Sequence, residues 1–397
     1  MKKILKLTII SFFLFGMTIG FSADFRFHGR ASNSIYSYED SESHTRVFQY
    51  VHFSLESPQL ANMTLNTSFR ALTDLNESLD ADQRFKAYQL NLAFKKLFNR
   101  IDLCWEDSFC IRARFWGGLD GLFAKFRITN NIYLSAYGGV EAHFHRSFQI
   151  YKFDDSFTTG GLVELNNFFN SKVQTFYLQK ADQHDIFWQL AGLNFDSGLL
   201  PKTRFRFQGH YDLQNERFHR LLITARHQLT RKIALNLSFK NQYPQVYANS
   251  FYTIFEIDPY RQYRLGGSYQ LTSDYFISAQ YQLIQFESEN ANRVFLTLNS
   301  ANGSIGLTYE TGYAGDQLGV VFDYAYEIMP SLLASMNIDY TRYRTETVFE
   351  FENQLVNALR LSYRFQKNWS VDLEYQWLTN RFKDSDSRLL NHLHFSW

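Results

Sequence analysis

Residues of alternating character recur along almost the whole chain, in runs long enough to cross a bilayer as extended strands. In 369–381, Trp369, Val371, Leu373, Tyr375 and Trp377 share one face, with Ser370, Asp372, Glu374 and Gln376 on the other. Phe205, Phe207, Gly209, Tyr211 and Leu213 oppose Arg204, Arg206, Gln208, His210 and Asp212. Ile233, Leu235, Leu237 and Phe239 oppose Ala234, Asn236, Ser238 and Lys240, and the same split returns in 275–283 and 317–327. Successive side chains of a strand point to opposite sides, so such a run has one apolar and one polar face. Soluble sandwiches alternate too, but their strands run about 5–6 residues, whereas a membrane-crossing strand needs about 9–11. Many of these runs reach the longer figure, keep charge off the apolar face and carry Tyr, Trp or Phe near their ends. The pattern predicts an all-β fold, an antiparallel transmembrane β-barrel.

Composition agrees. The 397 residues include 40 Phe and 25 Tyr, yet mean hydropathy is only −0.32. That combination suits a barrel, where every second residue meets lipid and aromatic girdles mark the interfaces. Beyond the first segment no run of about 18 apolar residues suggests a membrane helix.

Short turns are expected at 58–60, 129–131, 230–231, 272–274, 329–331 and 366–368, and longer polar connections at 37–44, 73–83, 146–157, 243–259 and 345–353. Short periplasmic turns facing longer outer loops are the usual barrel asymmetry. With both termini periplasmic, the chain threads into an even number of strands near 20, within a range of 18–22. Parity makes 293–299 a strand, and makes Cys104–Trp116 mostly one ascending strand and its loop. Gly117-Gly118 and Gly160-Gly161 read as loop or bulge glycines.

Residues 1–23 stand apart. Lys2, Lys3 and Lys6 precede a mostly apolar stretch from Leu7 to Phe15, and Gly16, Gly20, Ser22 and Ala23 supply small residues for cleavage. This is the pattern of a secretory signal peptide, leaving 24–397 as one barrel domain. Cleavage after Ala23 or Ser22 fits, and no cysteine near the cut suggests a lipid anchor. Without its three Lys, the remainder has 37 basic against 39 acidic residues, a balance that gives no support to nucleic-acid binding. At the other end, Leu389, Leu393, Phe395 and Trp397 share a face with His392, His394 and Ser396 between them. A last strand ending in an aromatic residue resembles the recognition signal read by the barrel-assembly machinery, so Leu393, Phe395 and Trp397 are the expected contact. Outer-membrane lipids and lipopolysaccharide are the expected surroundings.

Cys104 and Cys110 flank Trp-Glu-Asp-Ser-Phe. In an oxidising compartment the pair reads as a disulfide staple on a hairpin or loop, with two buried thiols as the alternative. No adjacent ligands complete a metal site, and no cofactor is implied.

Leu119-Asp120-Gly121-Leu122-Phe123-Ala124-Lys125-Phe126, followed by the alternating run 132–139, resembles a segment of the alginate-export-like outer-membrane porins. Residues 87–94 and 101–105 sit where that family has its fourth and fifth strands. The likeness covers about residues 80–140. Cys104-Trp105-Glu106 stands where the family often carries Gly-Arg-Gln. The resemblance implies a substrate-permissive porin and leaves alginate itself unsupported.

The alternation assigns an inward face bearing Arg26, Arg30, Arg70, Lys125, Arg127, Arg204, Arg206, Arg220, Arg226, Lys240, Arg264, Arg360 and Arg364. Inward acids include Glu56, Glu141, Asp212, Glu310, Asp323, Glu327, Asp339, Asp372 and Glu374, gathered toward the last third. A water-filled pore tolerates charge that lipid does not. Two readings fit: a basic ladder around Arg204, Arg206, Arg220 and Arg226 favouring anions, or internal salt bridges bracing the wall. Inward Tyr133, Tyr137 and Phe276 either stack on sugar rings or fill space. A barrel enzyme would need a Ser–His pair facing lipid. The spacings His143, His145, Ser147 and His392, His394, Ser396 are ones that alternation alone generates, and no nucleophile elbow or His-Glu-x-x-His motif is present. Adhesion through the aromatic 243–259 loop, with Tyr247, Phe251, Tyr252 and Phe255, is the third class; the same loop would serve as a constriction. A receptor with an N-terminal plug is disfavoured, since alternation begins at Phe25. The expected function is a passive outer-membrane channel, monomeric or trimeric, for small hydrophilic solutes, anionic ones on the basic-ladder reading, and not an enzyme.

Overall fold

A computed structural model describes residues 25–397 apart from 40–41, 61, 80–83, 108–118, 142–155, 183–184, 245–257, 314 and 347–348. It contains 22 strands. The first quarter comprises β1 (Arg26–Glu39), β2 (Ser43–Ser57), β3 (Met63–Asp74), β4 (Phe85–Leu97), β5 (Ile101–Asp107) and β6 (Leu119–Arg127). Then follow β7 (Ile132–Glu141), β8 (Phe157–Phe168), β9 (Ser171–Asp182), β10 (Asp185–Ser197), β11 (Thr203–Asp212) and β12 (Arg217–Gln228). Next come β13 (Ile233–Gln242), β14 (Tyr260–Gln270), β15 (Phe276–Gln285), β16 (Asn290–Asn299) and β17 (Gly303–Gly312). The last are β18 (Asp316–Met329), β19 (Leu332–Arg344), β20 (Glu352–Gln366), β21 (Trp369–Asn380) and β22 (Lys383–Ser396).

Every strand pairs antiparallel with the next, and β22 returns to pair with β1 over Arg30↔Ser396 to Ser37↔Leu389. A sheet closed on itself has no unpaired edge, which is what lets extended backbone sit in hydrocarbon. The seam continues past the ladder: Gly29 and Trp397 exchange main-chain hydrogen bonds at 3.1 and 3.0 Å. Gly29 is required there, because a Cβ would come within 2.6 Å of both the Trp397 ring and the His52 carbonyl.

The strand number is the upper end of the expected range and above the threading near 20. The reversal between β21 and β22 takes only residues 381–382, so alternation runs almost unbroken through it and offers little to count. Connections after even-numbered strands are short, such as 169–170 and 330–331, and lie at the end where β1 begins and β22 finishes. The opposite end carries the long ones, including 75–84 and 243–259. Two expectations are corrected. Residues 37–44 are not a long loop, since Ser37–Glu39 complete β1 and Ser43–His44 begin β2 with His44 opposite Tyr38. Gly160-Gly161 is no loop or bulge either; it lies within the regular ladder of β8, and the missing side chain admits a ring, because a Cβ on Gly160 would lie 2.2 Å from the Tyr137 hydroxyl.

The two faces differ as the alternation requires. Leu235, Leu237, Leu265, Leu296, Leu307, Leu359 and Leu373 lie on the outer face, and Leu237 is 55% exposed in the isolated chain. Side chains of this kind bare around a whole sheet are stable only against lipid. The inner face carries the polar and charged side chains interspersed with apolar ones, and one buried apolar cluster stands out there, Leu119, Tyr137, Leu178, Trp188 and Leu190, packed by Phe123 and Phe176. Cys104 also faces inward, buried, opposite Phe123 and Ala93. Its partner in the expected disulfide, Cys110, lies outside the described residues, as do residues 1–24, Gly117-Gly118, His143, His145, Ser147 and most of the 243–259 loop.

Candidate functional site: the inner wall

The inner wall of β9–β12 is built from small and large residues in register. Gly192 on β10 lies opposite Phe176 on β9, and a Cβ there would come within 2.1 Å of the Phe176 ring. The ring therefore lies flat across the glycine and meets His210 of β11 edge-on at 4.9 Å. His210 in turn contacts Asn194 through Nε2 at 3.1 Å. Below this layer, toward the short turns, Asp196 receives two guanidinium groups. Arg204 donates Nε and Nη2, each at 3.0 Å, one to each carboxylate oxygen. Arg206 donates Nε at 3.2 Å and Nη2 at 3.0 Å to Oδ2. Each guanidinium carries five N–H donors and spends two here, so both retain donors for a solute. Together with Lys172, Phe176, Arg220 and Gln208 these groups line a cavity of about 330 Å³.

The wall is basic in sum. Arg226 stands directly opposite Arg204 in the register, and Arg220 opposite His210. Glu164 on β8 is held between Lys172 at 2.8 Å and Lys125 at 3.2 Å. Five cations from β9, β11 and β12 thus share the region with three acids, Glu164 on Lys172, Asp196, and Asp212, which turns to cap its own loop at Gln214 and Asn215.

The register puts the remaining candidates on the same inner face, in other places. Arg26 and Arg30 lie on β1 opposite Glu56 and His52. Arg127 ends β6 and donates to the Asn99 carbonyl. Arg360 is paired with Asp372 at 2.6 Å, while Arg364 lines a second cavity together with Arg30. Of the eleven arginines expected on the inner face, then, Arg204, Arg206, Arg220 and Arg226 come together, Arg30 and Arg364 share the second cavity, and the others are spread around the lumen. Sequence reasoning omitted Asp196, Glu164, Lys172, Lys180 and Arg293 from the inner face. The alternation Asn194, Asp196 opposite Phe195 was the available signal. Lys180 pairs with Glu141 at 2.5 Å, and Arg293 forms a forked pair with Glu310 at 2.6 Å on both arms. Bracing salt bridges and a basic wall therefore occur in one molecule.

His392 contacts Ser34 at 2.6 Å, whereas His394 contacts Asp372 at 3.2 Å. These groups face the lumen and form two separate pairs, so they do not make the lipid-facing Ser–His relay of a barrel lipase. At the long-loop rim His44, Asp74 and Glu77 converge, but Asp74 also takes Arg46 at 3.2 Å and the amides of Thr45 and Asn76. That carboxylate is already saturated with donors.

No protein-family model and no curated protein matches the chain. Among solved structures it is similar to Pseudomonas aeruginosa OpdK with vanillate, at 13% identity and a TM-score of 0.47 over 95% of this chain and 100% of that one. Pseudomonas aeruginosa OccK5 (OpdH) gives 12% and 0.48 over 95% and 99%. Acinetobacter baumannii OccAB2 gives 12% and 0.46 over 94% and 98%.

Proposed function

We propose that this chain is an outer-membrane channel through which small hydrophilic solutes diffuse passively, with a preference for anions. The observation that carries it is the closed 22-strand sheet with leucines outside and paired and unpaired charge inside. An outer face of that kind belongs in a bilayer, and a charged inner face belongs in water. β1 begins and β22 finishes at the short-turn end, which is the periplasmic end of a bacterial barrel. The export reading of residues 1–23 and recognition of Leu393, Phe395 and Trp397 by the barrel-assembly machinery complete this proposal, with lipopolysaccharide as the outer-leaflet neighbour. The porin likeness of residues 80–140 supports the class; alginate is not carried over, given Cys104-Trp105-Glu106. A Cys104–Cys110 staple at the β5 end remains part of the same proposal.

Anion preference rests on the wall at Arg204, Arg206, Arg220 and Arg226, because a cluster of one sign lining a pore sets selectivity. No turnover step is assigned to any residue. Single-channel recording of the refolded protein in a planar bilayer tests the reading, with selectivity taken from the reversal potential in a salt gradient. Stable steps with anion preference that falls in Arg204→Gln/Arg206→Gln are expected. Cation preference unchanged by those substitutions would remove the wall, and a folded barrel without conductance would remove the channel.

A further inference from the structure

We infer that the strand seam carries a binding site for a compact multivalent oxyanion of the phosphate type, separate from the Arg204 wall. A cavity of about 470 Å³ opens where β1 and β2 meet β22 and the β20–β21 turn. Arg30, His52, Arg364, Lys367 and His394 line it, with Ser370 between them. Three of these side chains are permanently charged and come from different segments. None of the lining residues is an acid.

The state of these cations is what distinguishes the place. Elsewhere on the inner wall, guanidinium groups meet carboxylates: Arg204 and Arg206 on Asp196, Arg293 on Glu310, Arg360 on Asp372. Among the described residues, no carboxylate pairs with Arg30, Arg364 or Lys367. The acids on adjoining positions are committed or displaced. Asp372 takes Arg360 and His394, and Glu56 lies opposite Arg26, two inward positions below Arg30.

Holding three like charges around one cavity opposes itself unless a counter-charge enters. An oxyanion with several oxygens satisfies the arrangement best, since each guanidinium binds two of its oxygens in a fork and a lysine adds a point charge. Ser370, beside His394 in the β21–β22 register, and Ser32, beside it across the seam, supply hydroxyl donors at the same level. A monovalent carboxylate offers two oxygens and one charge, and matches fewer of these groups. In the strand order β1 and β11 stand half a circuit apart, so this site and the Arg204 wall lie on opposing walls.

The site is read without conductance, so its fate is independent of the channel proposal. Equilibrium dialysis of the refolded barrel against radiolabelled inorganic phosphate should give saturable binding near one site per chain. Arg30→Gln/Arg364→Gln should weaken it about tenfold, as the loss of two charge-assisted contacts implies, while Arg204→Gln/Arg206→Gln leaves it unchanged. Glycerol phosphate should compete and acetate should not. Absence of saturable binding, equal binding by the seam variant, loss in the Arg204/Arg206 variant instead, or equal competition by acetate would each overturn the inference. Should the double variant fail to refold, Lys367→Gln on the exposed turn carries the same test with a smaller expected weakening.

Discussion

The inner wall of β9–β12 and that of β17–β21 are built from the same alternation and carry opposite charge. The first presents Lys172, Arg204, Arg206, Arg220 and Arg226 around Asp196. The second presents Glu310, Asp323, Glu327, Asp339, Asp372 and Glu374, with Arg360 and, at its lower end, Arg364 among them. Their partners differ as well. Asp323 is held by Asn337 at 2.6 Å and by Ser304, Asp339 by Thr341, and Glu374 by Gln376 at 2.5 Å. Neutral amides and hydroxyls satisfy those carboxylates without cancelling their charge. A ladder and a brace are therefore not exclusive designs. One barrel can pair part of its charge for rigidity and leave a surplus of each sign on separate walls, which puts a transverse field across the lumen.

The largest effect is expected where the comparison breaks down altogether, on the outer face that both walls share. Leu237→Arg should cost about 2–4 kcal/mol as a charge near mid-bilayer, measured by reversible urea unfolding in lipid vesicles. Ser238→Arg, one residue on and facing the lumen, should cost far less. Equal losses would mean that the faces are misassigned.

Next comes the packing that shapes the basic wall. Gly192→Val must displace the Phe176 ring from its place against His210, and overpacking of this kind costs about 1–3 kcal/mol. Comparison of unfolding midpoints would read it, and an unchanged midpoint would show that the ring does not rest on the glycine. A smaller change, in selectivity and not stability, is expected from Asp196→Asn. It frees Arg204 and Arg206 and should raise the anion-to-cation permeability ratio about twofold through the local field. A fall in that ratio would show that the carboxylate aligns the arginines more than it neutralises them. Smallest is Glu310→Gln on the opposite side, which releases Arg293 and should move the reversal potential slightly toward anions in dilute salt. At about 1 M salt, where the screening length is about 3 Å, the shift should vanish.

Most of the fold was legible because a barrel repeats one rule. Period-two alternation separates lipid from water residue by residue, so runs such as 233–240 and 369–377 declared both strand and face. The inward placement of Arg204, Arg206, Arg220 and Arg226 followed from the same parity. Strand count was less legible. Where a reversal takes two residues, as at Arg381-Phe382, alternation on each side merges. The run 37–44 looked like a loop because its Ser, Glu and Asp are polar, yet β1 and β2 extend through most of it with His44 stacked on Tyr38 at 4.9 Å. Gly160-Gly161 misled for a related reason. A glycine in a strand signals a close approach as readily as a turn, and only the neighbouring strand shows that Tyr137 fills the space. The grouping of Arg204, Arg206 and Arg220 was legible from adjacent strands, whereas the cavity shared by Arg30 and Arg364 was not. Arg30 and Arg364 are far apart in the chain, and only closure of the sheet makes them neighbours.

That closure also constrains how the molecule can be made. The seam joins the first strand to the last, and its final bonds link Gly29 to Trp397. Among the described residues no main-chain hydrogen bond spans a greater length of chain, and contacts of high sequence separation form slowly because the loop they close must first be ordered. Until β22 arrives, β1 and β21 are open edges, each able to pair with another chain. The interval between emergence of β1 and arrival of β22 is thus the period of greatest exposure to aggregation, and a shortened C-terminal strand would prolong it indefinitely.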